Sequence, residues 1–193
     1  MKIGVLAFQG DVIEHVEAIK KLGHTAVEVK KAEDLEDLQG IILPGGESTT
    51  MGRLLKVTNL LEPLKKKIEE GFPVWGTCAG MILLAKEIDN DNRRHLAVMD
   101  IKVRRNAFGR QSDSFEDETY IKEISNEPLK LVFIRAPYIV KAGENVEVLL
   151  KTQGKITAAK EKNIFVTSFH PELTNNSAVL EYFIKNIIKE NIS

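Results

Sequence analysis

The first half of the chain alternates unbroken apolar runs with amphipathic stretches. Ile3-Gly4-Val5-Leu6-Ala7-Phe8 has no polar position and reads as a strand buried on both faces. Asp11 then offers a helix N-cap, with Glu14 three residues on as in a capping box. Val12, Ile13, Val16 and Ile19 follow at helical spacing, and Gly23 is a natural stop. Thr25 to Val29 reads as a second strand and Gly40 to Leu43 as a third, ended by Pro44-Gly45-Gly46. Leu60 to Glu70 reads as a helix closed by Gly71, Pro73 to Gly76 as a fourth short strand, and Ala79 to Lys86 as the start of another helix. Apolar strands separated by helices predict a parallel sheet covered on both faces.

Beyond Asp89 the pattern changes. Asp89-Asn90-Asp91-Asn92-Arg93-Arg94 is a polar loop. Strand-like pieces follow at Met99 to Val103, Leu131 to Ile134, Val146 to Leu150, Ile156 to Ala159 and Ile164 to Ser168, joined by turns such as Gly143-Glu144-Asn145. This half predicts antiparallel pairing. Val179, Leu180, Phe183, Ile184, Ile187 and Ile188 then form one apolar stripe at spacings of three and four, which predicts a closing helix. The expectation is a single mixed α/β domain with no repeat and no linker.

Composition narrows the function classes. The 193 residues are 43% apolar and 28% charged, with 27 Lys plus Arg against 28 Asp plus Glu, a net charge of −1. That balance removes the strongest argument for a nucleic-acid or anionic-membrane surface, which would show a basic excess. The single cysteine, Cys78, allows no internal disulfide and no cysteine-based metal cluster. The first apolar run is too short for a signal-peptide core, and no run approaches the roughly 20 residues of a membrane helix, so the expected address is the cytoplasm.

The sharpest chemical signal is Trp75-Gly76-Thr77-Cys78-Ala79-Gly80, the cysteine form of the G-x-S-x-G nucleophile elbow, placed between a strand and a helix. A nucleophile on so tight a turn brings the residues two before and two after it together, which calls for glycines. Cys78 then lies at a helix N-terminus, where the thiolate is favoured, and the N–H of Ala79 is available to an oxyanion. Among the four histidines, His15 reads as solvent-facing or helix packing, and His24 and His95 as surface residues. His170 ends the apolar run 164–169, where open α/β sheets place their sites. Pro171 biases it toward extended backbone, so that Glu172 lies on the same side and can orient the ring. Pro44-Gly45-Gly46-Glu47-Ser48 lacks either phosphate-loop spacing and reads as a second oxyanion donor and a substrate cradle. Lys102, Arg104, Arg105, Arg110 and Arg135 read mainly as solvated faces, with an arginine near the elbow able to clamp a carboxylate. The 89–94 loop lacks the glycine and terminal glutamate of a calcium loop, so no metal is expected there.

Together these residues resemble the triad glutaminases of the class I amidotransferase family. Within it they are most similar to the glutaminase subunits of pyridoxal 5'-phosphate synthases. The resemblance runs over essentially the whole chain: the Gly4 to Gly10 start, Leu43 to Thr50, the elbow, Arg105-Asn106-Ala107-Phe108-Gly109-Arg110-Gln111, Phe133-Ile134-Arg135-Ala136-Pro137, and Ser168 to Leu173. It implies one flavodoxin-like three-layer α/β domain over residues 1–193, with a central, mostly parallel sheet and some antiparallel strands in the C-terminal half. It also implies Cys78 as nucleophile, His170 as base and then acid, and Glu172 as the orienting carboxylate. Glutamine would lie against Gly46, Glu47, Ser48, Arg105, Ile134 and Arg135, with the oxyanion held near Gly46 and Ala79.

The implied reaction is hydrolysis of L-glutamine to L-glutamate and ammonia through a thioester, with no cofactor and no metal. The implied partner is a separate barrel-shaped synthase subunit that uses the ammonia to build pyridoxal 5'-phosphate, and Gln9-Gly10 and Gly45-Gly46 are expected near that interface. Three alternatives stay open on the sequence: a stand-alone cysteine amidase on the same scaffold, a non-catalytic regulatory subunit, and a glutaminase serving another synthase.

Overall fold

The apolar runs build the middle of the molecule. In the computed structural model, which describes residues 1–106 and 114–192, β1 (Lys2–Leu6), β2 (Thr25–Val29), β3 (Gly40–Leu43) and β4 (Val74–Thr77) pair in parallel in the order β2-β1-β3-β4. Beyond β4 lies β12 (Ile164–Thr167), also parallel, with Val166 opposite Gly76 and Thr167 opposite Thr77. The sheet continues antiparallel through β11 (Lys155–Glu161), β9 (Tyr138–Ala142) and β6 (Met99–Arg104), then ends on β5 (Ala85–Ile88), parallel to β6. β10 (Glu147–Thr152) adds to β11, and β7 (Ser114–Thr119) pairs with β8 (Leu129–Ile134) as a separate ribbon. The antiparallel half is as expected, except that its last strand joins the parallel core and β6 takes β5 as a parallel neighbour.

Alternation along the central strands sorts the core into two layers. Leu6, Ile41, Leu43, Val74 and Val166 face a cluster completed by Met51 and Leu55 of α2 (Ser48–Val57), Leu64 and Ile68 of α3 (Leu61–Glu69), and α4 (Ala79–Leu84). Ile3, Val5, Ile42, Trp75 and Phe165 face the other side. There they meet Ile19 of α1 (Val12–Lys21) and the C-terminal helix, which runs from α5 (Ala178–Tyr182) through a wider π turn (Phe183–Ile188) into α6 (Lys189–Ile192). Each fully buried Leu, Ile or Phe side chain contributes on the order of 1.5–3 kcal/mol, so both faces are heavily committed.

Three local expectations, on the extent of α4, on Asp11 and on Ile13, are corrected, and one helix goes beyond them. Helix α4 stops at Leu84, because Ala85–Ile88 leaves the helix to pair with β6. Helix α2 covers residues that carried no helix signal, since Thr49, Thr50 and Gly52 weaken the propensity there. Asp11 precedes α1 but its side chain caps nothing in that helix, and Ile13 on the same helix is largely exposed. Because β1, β3, β4 and β12 are parallel and in register, the loops after them converge on one edge of the sheet.

Candidate active site

Cys78 occupies the bend between β4 and α4 with φ +47° and ψ −103°, backbone that costs a non-glycine residue on the order of 1–3 kcal/mol. The bend is over-determined. Cys78 N donates to Thr167 O at 2.8 Å, and Met81 N donates to Cys78 O at 3.1 Å. A Cβ on Gly76 would lie 2.6 Å from the Gly80 carbonyl carbon, and one on Gly80 would collide with the Leu43 carbonyl oxygen. The two glycines of the elbow are therefore dictated by close packing against each other and against β3. The thiol is 8% exposed, and its Sγ lies 3.8 Å from the Ile134 carbonyl oxygen.

His170 follows β12 by three residues, and its N–H donates to Val132 O of β8 at 2.8 Å, which ties the ribbon to the site. Its Nδ1 lies 2.8 Å from Glu172 Oε1 and 3.2 Å from Asp11 Oδ2; its Nε2 is buried with no hydrogen-bond partner among the described residues. Burial alone would lower the imidazole pKa, but Asp11, Cys78 and Glu172 outweigh it and push it up to about 12. The same contact with His170 holds the Asp11 carboxyl below the usual carboxylate range, against burial.

Behind Glu172 lies His15, 1% exposed rather than facing solvent. Its Nε2 is 3.6 Å from Glu172 Oε1 and 3.4 Å from Thr77 Oγ1, and its ring stands edge-on to Trp75. Burial lowers its pKa and wins over the nearby carboxylates, so His15 is held neutral. His95, also expected at the surface, is buried with its ring against Gly52. Asp11, His170 and Glu172 bring metal-ligating atoms within 4.8 Å of one another, a closeness the hydrogen bonds on Nδ1 account for.

A cleft of about 410 Å³ opens over the thiol. Nine of the ten residues singled out from the sequence line it: Gly46, Glu47, Ser48, Cys78, Ala79, Arg105, Ile134, Arg135 and His170. The tenth, Glu172, lies behind the imidazole with its side chain fully buried. Gly46 has φ +152°, and the Gln9 amide donates to Glu47 O at 3.0 Å; the Gln9-Gly10 and Gly45-Gly46 loops touch, a Cβ on Gly10 colliding with Gly45 O. The Glu47 carboxylate is turned away to cap α2, accepting from Thr49 N at 3.0 Å and Thr50 N at 2.7 Å. Burial raises its pKa, but these bonds prevail and bring it to about 2.

Lys102 and Arg104 pair with Asp89 at the surface, as expected of solvated faces; Arg110 and most of the Arg105 to Gln111 segment lie outside the described residues. The sequence reading missed Asp11, Ile82 and Asn106 on the cleft, and His15 behind it. For Asp11 the signal was available, because it follows a parallel strand at the edge that carries the elbow. A second cleft, of about 340 Å³, reaches Glu172 and His15 from the far side, and Cys78 does not line it.

Such an arrangement can perform nucleophilic acyl chemistry. A thiol beside an imidazole whose remote nitrogen is held by a carboxylate is the arrangement that attacks a carbonyl and then protonates the leaving group.

Comparison with known proteins gives the family. Residues 5–189 match the model of the SNO glutamine amidotransferase family. The chain is 60% identical over 186 residues to pyridoxal 5'-phosphate synthase subunit PdxT of Clostridium beijerinckii, covering 96% of this chain and 98% of that one. It is 50% identical over 190 residues to PdxT of Thermosipho africanus, covering 98% and 100%. A crystal structure described as a glutamine amidotransferase superposes with a TM-score of 0.90 at 44% identity, covering 95% of this chain and 97% of the other. The structure of PurLQS from Thermotoga maritima, 16% identical with a TM-score of 0.71 over 95% of this chain and 97% of the other, shares the fold. With the family's model matching nearly the whole length and close relatives matching end to end, the chain belongs to the SNO glutamine amidotransferase family.

Proposed function

We propose that this chain is a glutaminase that hydrolyses L-glutamine to L-glutamate and ammonia and supplies the ammonia to a separate pyridoxal 5'-phosphate synthase subunit. The observation that carries the reading is the pairing of Cys78 with His170 on one cleft, the imidazole's Nδ1 held by Glu172 and its Nε2 without a hydrogen-bond partner among the described residues. Cys78 Sγ attacks the side-chain amide carbon of glutamine. The tetrahedral oxyanion is received near Gly46 and Ala79, and the imidazolium of His170 gives its proton to the departing ammonia. Water, deprotonated by His170, then cleaves the thioester and releases glutamate. Glu172 keeps the ring in place through both steps. Arg105, Ile134, Arg135, Glu47 and Ser48 shape the glutamine subsite.

Support for the partner comes from the relatives named as synthase subunits at up to 60% identity. Residues 1–193 act as one glutaminase unit, with the adjoining Gln9-Gly10 and Gly45-Gly46 loops facing the synthase. A cytoplasmic address suits a site that depends on a reduced thiol. Among the described residues, no helix is long and apolar enough to cross a membrane. The test is glutamine-dependent ammonia release from the purified chain, alone and with its synthase subunit. Ammonia release that is absent from Cys78→Ala under both conditions supports the reading; turnover retained by Cys78→Ala would sink it.

A further inference from the structure

The polar loop 89–94 takes no part in the chemistry above, yet one carboxylate ties it to the cleft. Asp91 Oδ2 accepts from Arg105 Nη2 at 2.5 Å and from Arg93 Nη2 at 2.7 Å, and Arg93 Nε lies 2.9 and 3.0 Å from the two Asp91 oxygens. The turn that carries the carboxylate is itself fixed. Arg93 N donates to Asp91 Oδ1 at 2.9 Å, and Asp91 forms an antiparallel bridge with Ile88 at the end of β5. Both guanidinium groups then reach Thr49 Oγ1, Arg93 Nη1 at 3.0 Å and Arg105 Nη1 at 3.3 Å. Thr49 is in the first turn of α2, whose cap Glu47 lines the cleft beside Arg105.

This leaves Arg105 with two nitrogens committed and one not. Its Nε is buried and has no hydrogen-bond partner among the described residues. A buried N–H left unpaired is destabilising, so a donor in this condition on a cleft-lining residue marks the place of an acceptor supplied from outside. A guanidinium is planar, so fixing Nη1 and Nη2 fixes the direction of Nε–H as well.

We propose that Asp91 is a positioning residue for substrate: by holding Arg105 Nη2 it sets the guanidinium plane so that Nε–H meets an acceptor oxygen of glutamine. The inference rests on reading Arg105 as a glutamine contact. Arg93 and Thr49 brace the same plane, so the loop and the start of α2 act together on one side chain.

The test compares Asp91→Ala, Asp91→Asn, Arg105→Ala and the double variant Asp91→Ala/Arg105→Ala. Glutaminase kinetics are measured with the synthase subunit present, and glutamine binding is measured by calorimetry in a Cys78→Ala background. Asp91→Ala is expected to raise KM and Kd for glutamine about tenfold, within the range for residues in one hydrogen-bonded network. Its kcat is expected to stay unchanged, the signature of lost binding common to ground and transition states. The double variant is expected to be no worse than Arg105→Ala. A role confined to folding would instead lower melting temperature and kcat together. If Asp91→Ala does not fold, Asp91→Leu, which keeps the bulk and removes both acceptor oxygens, decides by the same criterion, and Asp91→Asn, which keeps one acceptor oxygen, is expected to fall between it and the wild-type chain.

Unchanged KM and Kd in the Asp91 variants while Arg105→Ala raises them would overturn the role of Asp91 alone. Additive effects in the double variant would also overturn it. Unchanged binding in Arg105→Ala would overturn both this inference and the glutamine contact it rests on.

Discussion

Two imidazoles flank the Glu172 carboxylate, and their surroundings drive them apart. His170, beside Asp11, Cys78 and Glu172, has its pKa raised to about 12, whereas burial lowers that of His15. The consequences for stability have opposite signs. The raised His170 contributes fully below its unfolded pKa of about 6.5, and this is lost as pH climbs toward 12. The lowered His15 contributes above about 6.5, and this is lost as pH falls below that value. The stability gap between the wild-type chain and His170→Asn is therefore expected to be larger at pH 6.5 than at pH 9.5, as read by urea unfolding midpoints. A gap that is constant or widens with pH would contradict the charged assignment. The elbow and His170 were legible because glycine spacing and strand position are local signals. His15 was not, because its role depends on Glu172, which lies far along the chain.

The Gly45-Gly46 turn runs through Glu47 into helix α2, whose start depends on one side chain. Glu47 accepts from two backbone N–H groups of the first turn, which offsets the β-branched Thr49 and Thr50 and the glycine at 52. Glu47→Ala is expected to cost about 0.5–1 kcal/mol, the lower part of the N-cap range because the side chain is exposed and screened. This loss is expected above the ordinary glutamate pKa and to fade as pH falls from about 4.5 toward 2, where the wild-type carboxylate is itself protonated. Thermal unfolding of both proteins across that range checks it; a difference independent of pH would mean the cap is not the carboxylate's role.

At this scale the buried strands were legible from unbroken apolar runs. The polar β7, Ser-Phe-Glu-Asp-Glu-Thr, was not, because its pairing with β8 is set by tertiary context. Nor was the early end of α4, since six residues buried all round carry no periodicity from which to read a boundary.

Across the whole molecule, parallel strands in register do the positioning. The thiol, the imidazole, the Gly45-Gly46 turn and the Gln9-Gly10 turn come from four separate strands, and only the common direction of those strands brings them to one edge. The ribbon β7–β8 adds Ile134 and Arg135 from outside the main sheet, and the 89–94 loop adds its hold on Arg105. In the proposed function the ammonia made at this edge passes to a synthase docked on the same loops, so site and interface are adjacent by construction. The most direct test is labelling with a glutamine analogue bearing an electrophilic ketone, followed by peptide mass spectrometry with the synthase subunit present. A single adduct on Cys78 is expected, absent from Cys78→Ala and formed far more slowly by His170→Asn; an adduct elsewhere, or one formed equally fast without the imidazole, would contradict the thiol–imidazole pairing.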